Sequence, residues 1–92
     1  MTDTLTPTQT PQLNPMFRLQ WEQAQDSYVL LYPEGMVKLN GSAGEIMAMI
    51  DGQRDIAAIS DQLMAKFPDA GDIRADILEF IGQAQQQNWI TL

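Results

Sequence analysis

Residues 28–46 read YVLLYPEGMVKLNGSAGEI, and the pattern of side chains changes within this stretch. Tyr28–Tyr32 is a continuous β-prone run, which predicts a strand that is covered on both faces or lies in the middle of a sheet. The Pro-Glu-Gly sequence at 33–35 predicts a tight turn, and Met36–Leu39 predicts a short following strand. Cap residues and helical spacing then begin at residue 40, so the chain passes from sheet to helix there.

Upstream of this stretch, apolar and polar side chains alternate over Phe17–Glu22, which is the period of a strand with one solvated face. Residues 25–27 are typical of a turn. Three antiparallel strands joined by short turns form a meander, with Tyr28–Tyr32 in the centre. An edge strand such as Met36–Leu39 exposes unpaired N–H and C=O groups and can accept an added strand.

The first predicted helix begins near residue 42. Ser42 and Glu45 fit a capping box, in which each side chain satisfies a backbone N–H of the other end, and Asn40 is a rival cap. We expect this helix to end at Asp51-Gly52, with Gly52 in the left-handed conformation.

Two more helices are predicted downstream. Asp55 can cap the second, which Pro68 stops, and Asp69 or Asp72 opens the third. The predicted core stripes are Ile56, Ile59, Leu63 and Phe67 on the second helix and Ile73, Ile77, Phe80, Ile81 and Ala84 on the third. The apolar residues 89–92 are expected to dock back on the core. The order is strands and then helices, an α+β class.

The first 15 residues differ in composition from the rest of the chain. Threonine occupies every second position from 2 to 10, and the segment holds three prolines and little that can be buried. Ordering such a segment costs entropy without compensation. The sequence therefore predicts a flexible and dispensable tail over residues 1–15 and one folded domain over 16–92.

Composition excludes several function classes. The 92 residues include 5 Lys and Arg, 12 Asp and Glu, no His and no Cys, for a net charge of −7. No thiol or imidazole is available for catalysis or for a Cys/His zinc site, which leaves only a carboxylate site formally possible. Asp72, Asp76 and Glu79 have helical spacing that could form a metal or acid–base cluster, but such a run is more typical of a solvated helix face. We therefore expect no catalytic residue, no metal and no cofactor. Acidic charge disfavours nucleic acid. No membrane span or secretory signal is recognisable, and we expect a cytoplasmic protein.

One feature of the third helix does not fit its core stripe. Leu78 lies beyond the edge of the stripe, beside Arg74 and Gln85, and Gly82 follows one turn later. These residues can form the wall of a binding groove, in which Gly82 leaves room for another backbone. The alternative is a leucine beneath the C-terminal segment and an incidental glycine, and the residues alone leave both open.

Several short motifs of the chain together resemble those of a known protein family. They are Leu30 to Gly35 (LLYPEG), Leu39-Asn40, Ser42-Ala43, Glu45-Ile46, Asp51-Gly52, Arg54, Phe67-Pro68, Asp76-Ile77, Phe80 and Trp89-Ile90. In these residues the sequence resembles the PqqD family of pyrroloquinoline quinone biosynthesis, over about residues 12–92.

The resemblance implies a winged-helix-like recognition element for ribosomally synthesised and modified peptides (RiPPs). Such a domain has no catalytic residue; it holds the precursor peptide PqqA and presents it to PqqE, a radical SAM enzyme that cross-links a Glu and a Tyr. Family members hold the peptide as a strand added between the edge strand and the third helix. The residues expected to bind it are Met36, Val37, Lys38, Leu39, Arg74, Leu78 and Gln85.

Other interpretations stay open at this point. A winged-helix transcription regulator can share this topology, but a DNA-reading helix needs a basic face and the five basic residues are scattered along the domain. A small structural subunit is a further alternative. The small folded part and its open sheet edges are also compatible with a homodimer.

Overall fold

The computed structural model describes residues 5–92. In sequence order, a short strand near each end of the chain flanks a three-stranded meander and three α-helices. The elements are β1 (Gln12–Leu13), β2 (Arg18–Glu22), β3 (Ser27–Tyr32), β4 (Gly35–Lys38), α1 (Gly41–Ala48), α2 (Ile56–Lys66), a 3₁₀ turn (Pro68–Ala70), α3 (Arg74–Gln86) and β5 (Ile90–Thr91). β2, β3 and β4 form an antiparallel sheet with β3 in the centre, and β1 pairs with β5 in a second sheet. The predicted α+β class, with an antiparallel meander before three helices, is confirmed.

The core lies between the meander and the helices. Register places Leu19, Leu30 and Val37 side by side on one face of the sheet, since Leu30 pairs with both neighbours. The buried helical side chains that meet this face come from all three helices: Ile46, Met47, Ile56, Ile59, Leu63, Ile77 and Ile81. No helix within residues 5–92 is long and apolar enough to cross a bilayer.

The first helix starts and stops differently from the prediction. Asn40 is its N-cap, because the Asn40 side chain accepts a hydrogen bond from the Ala43 amide at 2.8 Å, whereas Ser42 donates to Asn40 and Glu45 turns away to Lys66. α1 ends at Ala48 rather than at Asp51-Gly52. The Asp51 side chain instead accepts from the amides of the following turn, and Gly52 takes the predicted positive φ there.

A Schellman motif closes the third helix. Asn88 has φ 64°, its amide donates to the Gln85 carbonyl at 3.0 Å, and the Trp89 amide donates to Ala84 at 2.9 Å. Glycine tolerates this left-handed position best, and asparagine is the next best residue type. The motif turns the chain so that Ile90 is buried and β5 can pair with β1, in agreement with the expected docking of residues 89–92.

Residues 5–13, here called the N-terminal arm, pack on the helices. The first amides of a helix have no partner within the helix. In α2 the Ile56 amide donates to the Gln9 carbonyl at 3.0 Å and the Ala57 amide to the Pro7 carbonyl at 2.9 Å, while the Asp55 side chain accepts from Ala58. The arm and Asp55 together satisfy three of the four free amides of α2.

The arm also buries apolar surface. Pro11 is fully buried, β1 pairs with β5, and a Cβ at Gly82 would lie 3.5 Å from the Leu5 side chain. The predicted flexible tail over 1–15 is therefore wrong for residues 5–13, and residues 1–4 lie outside the described part. Composition misled here because the arm is held mainly by backbone carbonyls, which every residue type supplies.

A chain that starts at Met16 should consequently lose stability. Removing the arm leaves two α2 amides without partners and exposes the surface beneath Pro11 and Leu5, for a loss of about 2–4 kcal/mol in the free energy of unfolding. Urea denaturation followed by circular dichroism measures this, with deletion of residues 1–4 as the control. Equal midpoints for the two truncations would contradict the role of the arm.

Two glycines of α1 provide a matched test of packing against the sheet. A Cβ at Gly44 would lie 2.9 Å from Cδ2 of Tyr28, whereas nothing lies within 4 Å of one at Gly41. Gly44→Ala should cost about 1–3 kcal/mol through the displaced ring. Gly41→Ala should leave stability within about 1 kcal/mol of the parent or raise it. Thermal unfolding of both variants checks the difference, and similar losses would be inconsistent with this packing.

Candidate functional site at the free edge of the meander

β4 has one edge that is free of strand partners within residues 5–92. The Leu39 amide donates to the Tyr28 carbonyl at 3.0 Å. Because hydrogen-bonding direction alternates along an antiparallel strand, Val37 also faces β3, whereas the N–H and C=O groups of Met36 and Lys38 face outward. The free edge thus offers the backbone N–H and C=O groups of two residues, Met36 and Lys38. The outer edge of β2 is likewise unpaired in this part of the chain.

Side chains along β4 divide between the core and the surface. Met36 is 50% exposed and Lys38 is exposed, whereas Val37 packs against the core. Leu39 is only 3% exposed. Two of the four residues predicted to hold peptide on this strand, Met36 and Lys38, therefore present backbone and side chain at the free edge. Val37 and Leu39 instead direct their backbone toward β3 and their side chains into the core.

An apolar cavity of about 640 Å³ lies beside the point where β4 passes into α1. The start of α1, the end of α2, the 3₁₀ turn and the first half of α3 enclose it. Its lining residues are Gly41, Ser42, Glu45, Ile46, Leu63, Phe67, Ala70, Ile73, Asp76, Ile77 and Phe80. Pockets that bind small molecules or side chains have this size and this largely apolar lining.

The α3 residues predicted to bind peptide do not line this cavity. At 100° per residue, Arg74, Leu78 and Gln85 lie on one edge of the buried stripe of α3, and the lining residues Asp76 and Phe80 lie on the other. Leu78 is half-buried against the core, and the adjacent Gly82 is covered by Leu5 of the arm. The residues of α3 that were predicted to bind peptide are thus separated from the cavity. The space beside Gly82, which was expected to admit a peptide backbone, is occupied by the Leu5 side chain.

Arg74 is engaged with its own helix terminus. Its guanidinium donates to the Asp72 carboxylate at 2.7 and 2.9 Å. These hydrogen bonds lower the pKa of Asp72 to about 2. Both side chains are exposed, so the pair contributes little to stability. The N-cap of α3 is Ile73 rather than the expected Asp69 or Asp72, and Asp72 accepts from the Arg74 amide from the position before that cap.

Lys66 links two walls of the cavity. Its ammonium donates to Glu45 at 2.7 Å and lies 5.5 Å from the centre of the Phe67 ring. The hydrogen bond to Glu45 raises the pKa of Lys66. Phe67 is 39% exposed at the cavity, although its spacing predicted a core residue of α2. The Lys66–Glu45 pair thus joins the end of α2 to the first half of α1 at the rim of the cavity.

Sequence reasoning missed the cavity because its walls belong to the predicted core stripes. Ile73, Phe80 and Phe67 have the spacing of core residues but end half-buried or exposed around the cavity. The position of Phe67 was a signal of incomplete burial. It directly precedes Pro68, which stops the helix, so no further turn of α2 follows to pack around it. Within residues 5–92, no group of three or more carboxylates is placed to hold a metal ion.

Comparison with a solved structure identifies the fold. The fold is similar to the solution NMR structure of the PqqD truncation of Methylobacterium extorquens PqqCD, which is described as a functional, stand-alone RiPP recognition element. The TM-score is 0.79, with 97% of this chain and 96% of that chain covered and 24% sequence identity. The two chains therefore share a fold.

The family follows from the sequence comparisons. The family model of Coenzyme PQQ synthesis protein D (PqqD) matches residues 27–90. A Klebsiella pneumoniae protein named PqqA binding protein is 55% identical over 75 residues, 82% of each chain. One of the same name from Azotobacter vinelandii is 54% identical over 82 residues, 89% of each chain. This chain belongs to the PqqD family.

Proposed function

We propose that the protein binds the precursor peptide PqqA at β4 and presents it to PqqE, without catalysing a reaction itself. The observation that carries the proposal is the outward-facing backbone of Met36 and Lys38 on an unpaired edge, in a chain that reaches an apolar cavity at Gly41, three residues further on. The relatives are named for PqqA binding.

Strand addition explains how such a small domain can hold a peptide. Outward N–H and C=O groups on β4 pair with the backbone of the peptide and give affinity that depends little on its sequence. Alternate peptide side chains then point toward the helices, where the cavity can select apolar ones. Ile73 and Phe80 take the place on α3 that Leu78 was expected to occupy.

Presentation to PqqE follows from how little of the peptide β4 can hold. The strand has four residues, so about as many peptide residues can pair with it. The rest of the peptide then remains outside the domain and accessible to an enzyme. If presentation is correct, a β4 variant that has lost the peptide should slow cross-linking by PqqE while leaving PqqE itself unchanged.

A nucleic-acid function is not supported by the charges. Arg54, Lys66 and Arg74 each form an ion pair with a carboxylate of this chain. Within residues 5–92, only Arg18 and Lys38 lack such a pair, and the whole chain has 12 acidic residues. Such a surface repels phosphates rather than neutralising them.

Lys38→Pro tests the free edge of β4. Proline removes the outward N–H of residue 38 but no hydrogen bond to β3, and edge strands tolerate it. Binding of PqqA should weaken at least about tenfold, the range of an interface hot spot. Lys38→Gln removes the charge and keeps the N–H, so it should stay within about threefold of the parent. Isothermal titration measures both. Equal affinities for the proline and glutamine variants would reject strand addition at β4.

Amide chemical shifts distinguish the two edges of α3. On titration of an isotope-labelled sample with PqqA, we expect the largest shifts at residues 36–39 of β4 and at Ile73, Asp76 and Phe80. Leu78 and Gln85 should move little because they lie across the buried stripe. Large shifts centred on Leu78 and Gln85 would instead restore the groove predicted from the sequence.

A further inference from the structure

We propose that the cavity beside β4 binds an apolar side chain of the peptide and that Asp76 and Glu79 bind a basic residue next to it. The inference rests on the proposed function and goes further by naming the chemistry of the segment that is recognised: an apolar anchor flanked by Lys or Arg.

The cavity lies within reach of a strand added to β4. Gly41 lines it and is three residues beyond Lys38, so the mouth is at most about 10 Å from the end of the strand. A peptide paired with β4 that continues past Lys38 can therefore reach the cavity within about three residues. Its position at the start of α1 fixes which part of the peptide is read, namely the part that extends beyond the C-terminal end of β4.

The lining of the cavity favours a large apolar side chain. Ile46, Leu63 and Ile77 are buried around it, and Phe67 and Phe80 offer aromatic surfaces. Phe67 is one of the large hydrophobic side chains that remain exposed in this chain. An aromatic or branched side chain placed here would cover it and gain the stabilisation of burying apolar area.

The rim of the cavity selects the charge of the neighbouring residue. Asp76 lines both the cavity and a shallow depression that it shares with Glu79 and Gln83. Neither Asp76 nor Glu79 has a basic partner among residues 5–92, whereas the nearby Glu45 and Asp72 are bound to Lys66 and Arg74. These two carboxylates are therefore available to a cation from outside the chain.

The wider charge distribution acts in the same direction. Residues 40–92 contain eight acidic and three basic side chains, and those three bases are all engaged in ion pairs. An acidic peptide would meet repulsion at this side of the domain, and a basic one would be attracted. The apolar cavity selects a large apolar side chain, and the acidic rim selects a basic residue next to it. A peptide segment must have both to satisfy the site.

Charge variants test the rim. Asp76→Asn combined with Glu79→Gln should weaken PqqA binding about fivefold at low ionic strength, with the loss shrinking as salt is added. The control is Asp26→Asn combined with Asp61→Asn, which changes net charge equally but alters no lining residue. The control should stay within about twofold. A peptide with its Lys and Arg replaced by Gln should lose affinity for the native protein and show no further loss with the rim variant.

Filling the cavity tests the anchor. Ala70→Trp places a large ring at the cavity from an exposed position and should weaken PqqA binding at least about tenfold, whereas Ala75→Trp, exposed on α3 but outside the lining, should not. Circular dichroism checks that both variants fold. Should Ala70→Trp fail to fold, single alanine substitutions of the apolar residues of PqqA provide the same test, and one of them should lose about tenfold.

The outcomes separate this inference from the proposed function. Absence of PqqA binding to the native protein overturns both. If PqqA binds and Lys38→Pro weakens it, but the rim variant matches its control, the basic neighbour is wrong and strand addition stands. If Ala70→Trp and every alanine-substituted peptide bind as tightly as the parent, the apolar anchor is wrong in the same way.

Discussion

The hydrogen bond from the Leu39 amide to the Tyr28 carbonyl sets the parity of β4, that is, which of its residues direct their backbone groups toward β3 and which direct them away. It places Leu39 and Val37 in the set of residues bonded to β3, and so turns the backbone of Met36 and Lys38 outward. A slip of one residue would bring Leu39 out of the core and reverse which groups are free. The burial of a single leucine side chain therefore determines which backbone groups the domain offers to a peptide.

That parity depends in turn on a small core. A domain of this size buries a smaller share of its unfolded surface than a larger one does, and this chain has no cysteine to add a disulfide. The N-terminal arm compensates by supplying carbonyls to Ile56 and Ala57 and a strand partner to β5. Elements at the two ends of the sequence thus close the helical layer, while both outer edges of the meander stay unpaired within residues 5–92.

Local patterns were sufficient to predict the meander and the three helices. Alternation over β2 and the Pro-Glu-Gly turn specify the strands, and Asp55 and Pro68 bound α2 as expected. The arm escaped prediction because its bonds are made by backbone carbonyls to a helix far along the chain. The helical part of the candidate site was misplaced because periodicity identifies the centre of a buried stripe, whereas tertiary packing decides which of its edges, Leu78 or Phe80, borders a cavity.

The course of the arm has a consequence for how this domain can be combined with others. Leu5 lies over Gly82, across the buried stripe of α3 from Phe80 and Asp76. The described chain therefore enters the domain on the side remote from the cavity. A module joined upstream would therefore be tethered beyond Leu5, across the buried stripe of α3 from the residues that line the cavity.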